Sequence, residues 1–182
     1  MADGEADFAV ICLTLHHLGL LKPLSFVQWL VTNRCNFRCA FCEASAGEVR
    51  PDELSTREAE GLIDDVAGMR ARLLLSGGEP LVREDVPHLI RYAQGKAVPL
   101  GLVSNSFLVP SLWPQLKLVP WFLFFTSLDG PPTTHDALRA PGSFERVLQS
   151  LRLFAQHGTP MRLVNTVVTH DNVGLLAALE RH

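Results

Sequence analysis

The chain has 182 residues, a formal net charge of −3, 47% hydrophobic and 19% charged residues. That composition suits one globular domain with a real core and excludes a disordered chain. The weak negative balance, with arginines scattered and no basic block, excludes a nucleic-acid binder working by bulk electrostatics. Four cysteines in a chain this long exclude a disulfide scaffold.

Met1 to Asp7 is acidic and lacks the basic start of a secretory signal. Phe8 to Leu21 is apolar, yet short for a membrane span and interrupted by His16 and His17. Residues 1–24 therefore read as an N-terminal helical extension, with Cys12 a small buried hydrophobe, and the protein is expected to be cytoplasmic and not membrane-bound. Residues 25–182 then alternate. Phe26 to Thr32 reads as a buried strand. Ser55-Thr56-Arg57-Glu58 is a capping box opening a helix whose apolar stripe is Ala59, Leu62, Ile63, Val66 and Met69. Strand Arg72 to Ser76, helix Asp85 to Ala93 and strand Val98 to Val103 follow, then a short helix Pro110 to Leu118 weakened by Pro114. Trp121 to Ser127 is a wholly apolar strand of the kind covered on both faces. Helix Phe144 to His157 has Gly158 as its C-terminal stop, and strand Arg162 to Thr169 precedes a last helix capped by Asp171 or Asn172. Strand–helix alternation implies right-handed crossovers and a parallel sheet. Five such units make an arc, a partial (β/α) barrel and not a closed one of eight.

Chemistry in such folds gathers at the C-terminal strand ends, and the unusual residues fall there. Cys35, Cys39 and Cys42 follow the first strand and Gly77-Gly78-Glu79-Pro80 the second. Ser104-Asn105 follows the third, Ser127 and Asp129 the fourth, and Asn165 lies in the fifth. Three thiolates at this spacing can hold three irons of a four-iron cluster, leaving the fourth open to a ligand that receives an electron.

The cysteine triad at three-then-two spacing, with Gly77-Gly78-Glu79-Pro80 one strand later, resembles the radical S-adenosylmethionine (radical SAM) enzymes from about Phe26 onward. The resemblance implies a 4Fe–4S cluster on Cys35, Cys39 and Cys42, with S-adenosylmethionine (SAM) on its open iron. It places Phe41 near the adenine and Gly77, Gly78 and Glu79, stiffened by Pro80, at the methionine amino group. Ser104, Asn105, Ser127 and Asp129 fall at the sulfonium and ribose region, Arg139 at the methionine carboxylate and Asn165 near the ribose. The implied activity is reductive cleavage of SAM to a 5′-deoxyadenosyl radical that takes hydrogen from a substrate, with electrons from a donor such as flavodoxin or ferredoxin. Glu53-Leu54-Ser55-Thr56, Leu75 to Leu81 and Ser127-Leu128-Asp129-Gly130 look most like the branch that modifies peptides or matures cofactors such as haem d1, so the expected substrate is a peptide or a tetrapyrrole-like precursor. Members of that branch often carry a C-terminal domain with auxiliary clusters. No cysteine follows Cys42 here, and the chain stops one unit short of the family's six. It reads either as a fragment or as a chain whose missing wall comes from a partner or another copy.

Blander readings stand beside these. The triad could hold zinc with a distant histidine, although zinc sites favour paired short spacings. Gly77-Gly78 alone is an ordinary turn, Asp129-Gly130-Pro131-Pro132 a strong turn signal, Arg139 a solvated loop arginine and His135 a satisfied histidine. The competing function is an iron–sulfur electron-transfer or assembly module that never cleaves SAM.

Overall fold

In the computed structural model, residues 26–39, 41–42, 45–170, 172–175 and 177 are described. The expected N-terminal helix with Cys12, His16 and His17 lies outside them, as does most of the expected last helix. Strand β1 (Phe26–Thr32) stands at one edge of a parallel sheet that continues through β2 (Arg72–Gly77), β3 (Leu100–Val103), β4 (Leu123–Ser127) and β5 (Met161–Asn165), in chain order. Helices α1 (Thr56–Gly68), α2 (Val86–Gly95), α3 (Val109–Leu116), α4 (Pro132–Leu138) and α5 (Ser143–Gln156) occupy the crossovers. Neighbouring strands that are also consecutive in sequence give an arc, as the strand–helix alternation predicts.

The arc has a packed face and an open one. Trp29 and Val31, Leu73 and Leu75, Leu100 and Leu102, and Phe124 meet Ala59, Ile63, Leu89, Ala93, Leu116 and Phe154 of the helical layer. Period-two alternation turns Leu30, Leu74, Val103 and Phe125 to the concave face, where Leu30 is 62% exposed. Ser55 caps α1 as expected: its side chain accepts from the Glu58 amide while Glu58 reaches back to the Ser55 amide. Among the described residues no helix is long and apolar enough to cross a membrane.

Most element bounds differ from the expected ones by a residue or two, and the larger differences have local causes. β3 starts at Leu100 because the Val98 amide is spent on Ala93 at the end of α2. β4 starts at Leu123 because Trp121 turns inward, its indole donating to the Leu116 carbonyl at 2.8 Å. Helix α4 was not expected: the Asp129-Gly130-Pro131-Pro132 turn leads straight into it, with Pro132 at its first position, where a missing amide costs nothing. β5 ends at Asn165 and not Thr169, because the Val167 amide leaves the ladder to donate to the Asp129 carboxylate at 2.9 Å. All five residues of β5 are exposed, with Met161, Leu163 and Val164 each more than 40% accessible.

Phe154 joins sheet and helices. It is 0% exposed, stacks on Phe124 at 3.9 Å and meets Trp113 and Trp121 edge-on. Truncating it leaves a cavity that this packing cannot close. Phe154→Ala is expected to lose about 3–5 kcal/mol of stability, read as a lower urea midpoint at an unchanged slope.

Candidate functional site

The cysteine loop is pinned at both ends. The Gly47 amide donates to the Asn33 carbonyl at 2.8 Å, and the Asn33 side chain donates to the Glu48 carbonyl at 3.1 Å. Glu53 gathers both sides of the loop on one oxygen: Oε1 accepts from the Thr32 hydroxyl at 3.1 Å, the Asn33 amide at 2.7 Å and the Arg50 amide at 3.1 Å. Desolvation opposes its ionisation, but these donors prevail and hold its carboxyl below the usual range. Inside the loop, the Phe37 amide donates to Cys35 Sγ and the Ala46 amide to Cys42 Sγ, each at 3.4 Å. All three thiols are free and half-buried. Burial pushes Cys35 and Cys39 up; at Cys39 the Arg139 guanidinium opposes that push.

The glycine segment is stitched to the strand that feeds this loop. The amides of Gly78 and Glu79 donate to the carbonyls of Thr32 and Arg34, each at 2.8 Å. A Cβ on Gly77 would sit 2.4 Å from the Thr32 carbonyl oxygen, and one on Gly78 2.2 Å from that of Arg34. Gly77 also has φ +128°, a conformation that favours glycine. Both positions are glycine because two backbones meet there. Glu79 caps the short 3₁₀ turn Pro80–Val82 and is 0% exposed. Oε1 accepts from Ser104 Oγ at 3.0 Å and the Leu81 amide at 3.2 Å; Oε2 accepts from the Asn105 amide at 2.7 Å. Burial nevertheless pushes its pKa up to about 7.

A cavity of about 210 Å³ opens where these pieces meet, at the C-terminal ends of the strands. Cys35, Cys39, Cys42 and Phe41 form one wall and Gly77 and Gly78 part of another. Ser104, Asn105, Ser127 and Asn165 face it from the ends of β3, β4 and β5, and Arg139 closes one side. Glu79, Pro80 and Asp129 stand behind the wall. Asp129 is 0% exposed and accepts from Arg139 and from the Val167 amide. Arg139, so held, lies 5.1 Å from the centre of the Phe41 ring. A separate cavity of about 150 Å³ between α2 and α3 is lined mainly by apolar side chains such as Ile90 and Leu116 and has no thiol or carboxylate.

The residues fit a cluster with a cationic organic ligand. Free thiols with amide donors already aimed at two of their sulfurs suit iron–sulfur chemistry. The glycine backbone and the Glu79 carboxylate behind it make a negative surface for an ammonium group. Among the described residues no three His, Cys, Asp or Glu side chains converge on a site for a single ion.

Several structural contributors escape a motif reading. Glu53 carries the loop, and Asn172 donates to the carbonyls of Asp129 and Val167 at 2.7 and 2.8 Å. His135 is 1% exposed and its Nδ1 accepts from the Asp129 amide at 3.1 Å, with burial pushing its pKa down. Only their partners in the folded chain distinguish them from ordinary polar residues.

With fold and site described, the similarities fall into line. The family model of the radical SAM superfamily matches residues 29–175, and the chain belongs to that superfamily. It is 36% identical over 150 residues to the Fe-coproporphyrin III synthase of Methanosarcina barkeri, covering 80% of this chain and 37% of the relative. It is 32% identical over 161 residues to the mycofactocin maturase MftC of Mycobacterium tuberculosis, covering 87% and 41% respectively. Among solved structures, SuiB of Streptococcus suis bound to S-adenosylmethionine superposes with a TM-score of 0.70 at 18% identity, covering 92% of this chain and 40% of that one. The chain spans about two fifths of the length of these curated relatives.

Gly78→Ala is expected to force β1 and β2 apart at the Arg34 carbonyl, costing about 1–3 kcal/mol and lowering bound iron after reconstitution; iron and stability equal to wild type would contradict the close approach. Glu79 is protonated more readily folded than unfolded, so between pH 4.5 and about 7 the folded apoprotein holds the extra proton. Its contribution to stability is therefore full below pH 4.5 and is lost as pH rises through 7. Denaturant titrations at pH 5 and 8 should show wild type losing ground against Glu79→Gln as pH rises.

Proposed function

We propose that the chain carries the catalytic core of a radical SAM enzyme acting on a peptide or a tetrapyrrole-like precursor. The observation that carries the reading is the shared cavity: three free thiols and the Gly77-Gly78 backbone line one space at the strand ends, with a buried carboxylate behind it. Cys35, Cys39 and Cys42 would hold a 4Fe–4S cluster, which would supply the electron for reductive cleavage of SAM and, through it, hydrogen abstraction from substrate.

The chain's own residues bind and orient. The carbonyls of the glycine segment receive the ammonium group, and Glu79 sets the negative field behind them while holding Ser104 and Asn105 in place. Phe41 offers its ring to the adenine, and Arg139, braced by Asp129, offers a cation to the methionine carboxylate. Ser127 and Asn165 serve the ribose. The apolar concave face, with Leu30, Leu74, Val103 and Phe125, receives the substrate and keeps water from the reacting centre. The relatives named Fe-coproporphyrin III synthase and mycofactocin maturase, and the similarly folded SuiB solved with its precursor peptide, support that substrate range. The electron donor is a small redox protein of the flavodoxin or ferredoxin type.

Anaerobic reconstitution with iron and sulfide, followed by SAM and dithionite, tests this. Formation of 5′-deoxyadenosine is expected. A brown, redox-active protein that leaves SAM intact would favour the electron-transfer module. Cys39→Ala should lose the cluster absorbance and nearly all bound iron; wild-type iron and sulfide in that variant would overturn the ligand set.

A further inference from the structure

Asn105 has a place in the site that no contact with a bound ligand requires. Its backbone amide and both polar atoms of its side chain are committed within the protein. Its backbone amide donates to Glu79 Oε2 at 2.7 Å, which fixes it to a fully buried carboxylate. Its Oδ1 accepts from the Phe107 amide at 3.0 Å. That bond sets the amide's orientation, because only the oxygen can accept. Nδ2 must then point the other way, where it donates to Asn36 Oδ1 at 2.7 Å and to Cys35 Sγ at 3.7 Å. A side-chain amide has two N–H groups, and both are used. Cys35 thus takes two donors, the Phe37 amide from its own loop and Asn105 from the far side of the cavity. The Ala46 amide on Cys42 comes from the loop itself, and the Arg139 side chain reaches Cys39 from outside it.

We infer that Asn105 is a positioning residue that donates a hydrogen bond to the Cys35 sulfur and thereby raises the reduction potential of the cluster held by the three cysteines. This rests on the reading that Cys35, Cys39 and Cys42 are the cluster ligands. An N–H aimed at a cysteine sulfur stabilises the more electron-rich, reduced form and makes the cluster easier to reduce. Glu79 is bonded to the Asn105 backbone amide and Cys35 to its side-chain amide, so the residue ties the glycine–glutamate segment to a cysteine of the loop.

The test is an EPR-monitored redox titration of the reconstituted full chain without SAM, for wild type, Asn105→Ala and Asn105→Asp. The alanine variant removes the donor. The aspartate variant keeps the acceptor for Phe107 and replaces the donor with an anion. With the donor lost, the ratio of reduced to oxidised cluster at a fixed potential should fall about tenfold, a shift of about 59 mV for one electron, and further in the aspartate variant. A shift in the aspartate variant alone, if alanine does not fold, supports the inference equally. Midpoints equal to wild type in both variants overturn it, as does an unchanged midpoint with weakened SAM affinity, which would make Asn105 a ligand contact. Loss of the cluster from both variants also overturns it, since Asn105 would then serve assembly. If wild type itself assembles no cluster, the functional reading above fails first, and the two failures are told apart by the iron and sulfide content of wild type.

Discussion

The site depends on a backbone seam. Two amides, from Gly78 and Glu79, donate to two carbonyls, of Thr32 and Arg34, just beyond the end of the β1–β2 ladder. The ladder slips by one residue between Leu30 and Thr32, and Thr32 then stands opposite Gly77. That slip lets the chain turn toward the cysteines while the second strand still runs alongside. Without the seam, the thiols and the glycine segment would belong to two separate loops. With it they form two walls of one cavity, and any side chain at either glycine would open the joint.

Around the seam, charge is arranged in layers. Nearest the cavity are thiols, backbone, hydroxyls and amides, with the Arg139 guanidinium on one side. Carboxylates stand one step back, each serving as an anchor. Glu53 collects the ends of the cysteine loop, Glu79 joins β2 to β3 through Ser104 and Asn105, and Asp129 joins Arg139 to the segment after β5. Anions set back from the reacting space keep the framework rigid and leave donors facing inward.

The strand order, the helical faces and both main motifs were legible in the sequence because each is local. Apolar residues at helical or alternating spacing report burial of a face, and cysteine and glycine spacing reports a loop. The capping box at Ser55 and Glu58 was readable for the same reason. What could not be read was pairing across long separations. Nothing near Glu79 predicts that its carboxylate turns away from the cavity toward Ser104 and Asn105, and nothing near Asp129 predicts Val167. The start of α4 was hidden because Pro131-Pro132 serves a turn and a helix start equally well. The end of β5 was hidden because the carboxylate that draws Val167 off the ladder lies 38 residues earlier.

The last strand has a practical meaning. Among the described residues no strand pairs with the outer side of β5, where Met161, Leu163 and Val164 are exposed beside its backbone donors and acceptors. Nothing on the strand itself blunts that edge except the single charge of Arg162. An edge of this kind is a surface on which a further strand can add, whether from the same chain or from another.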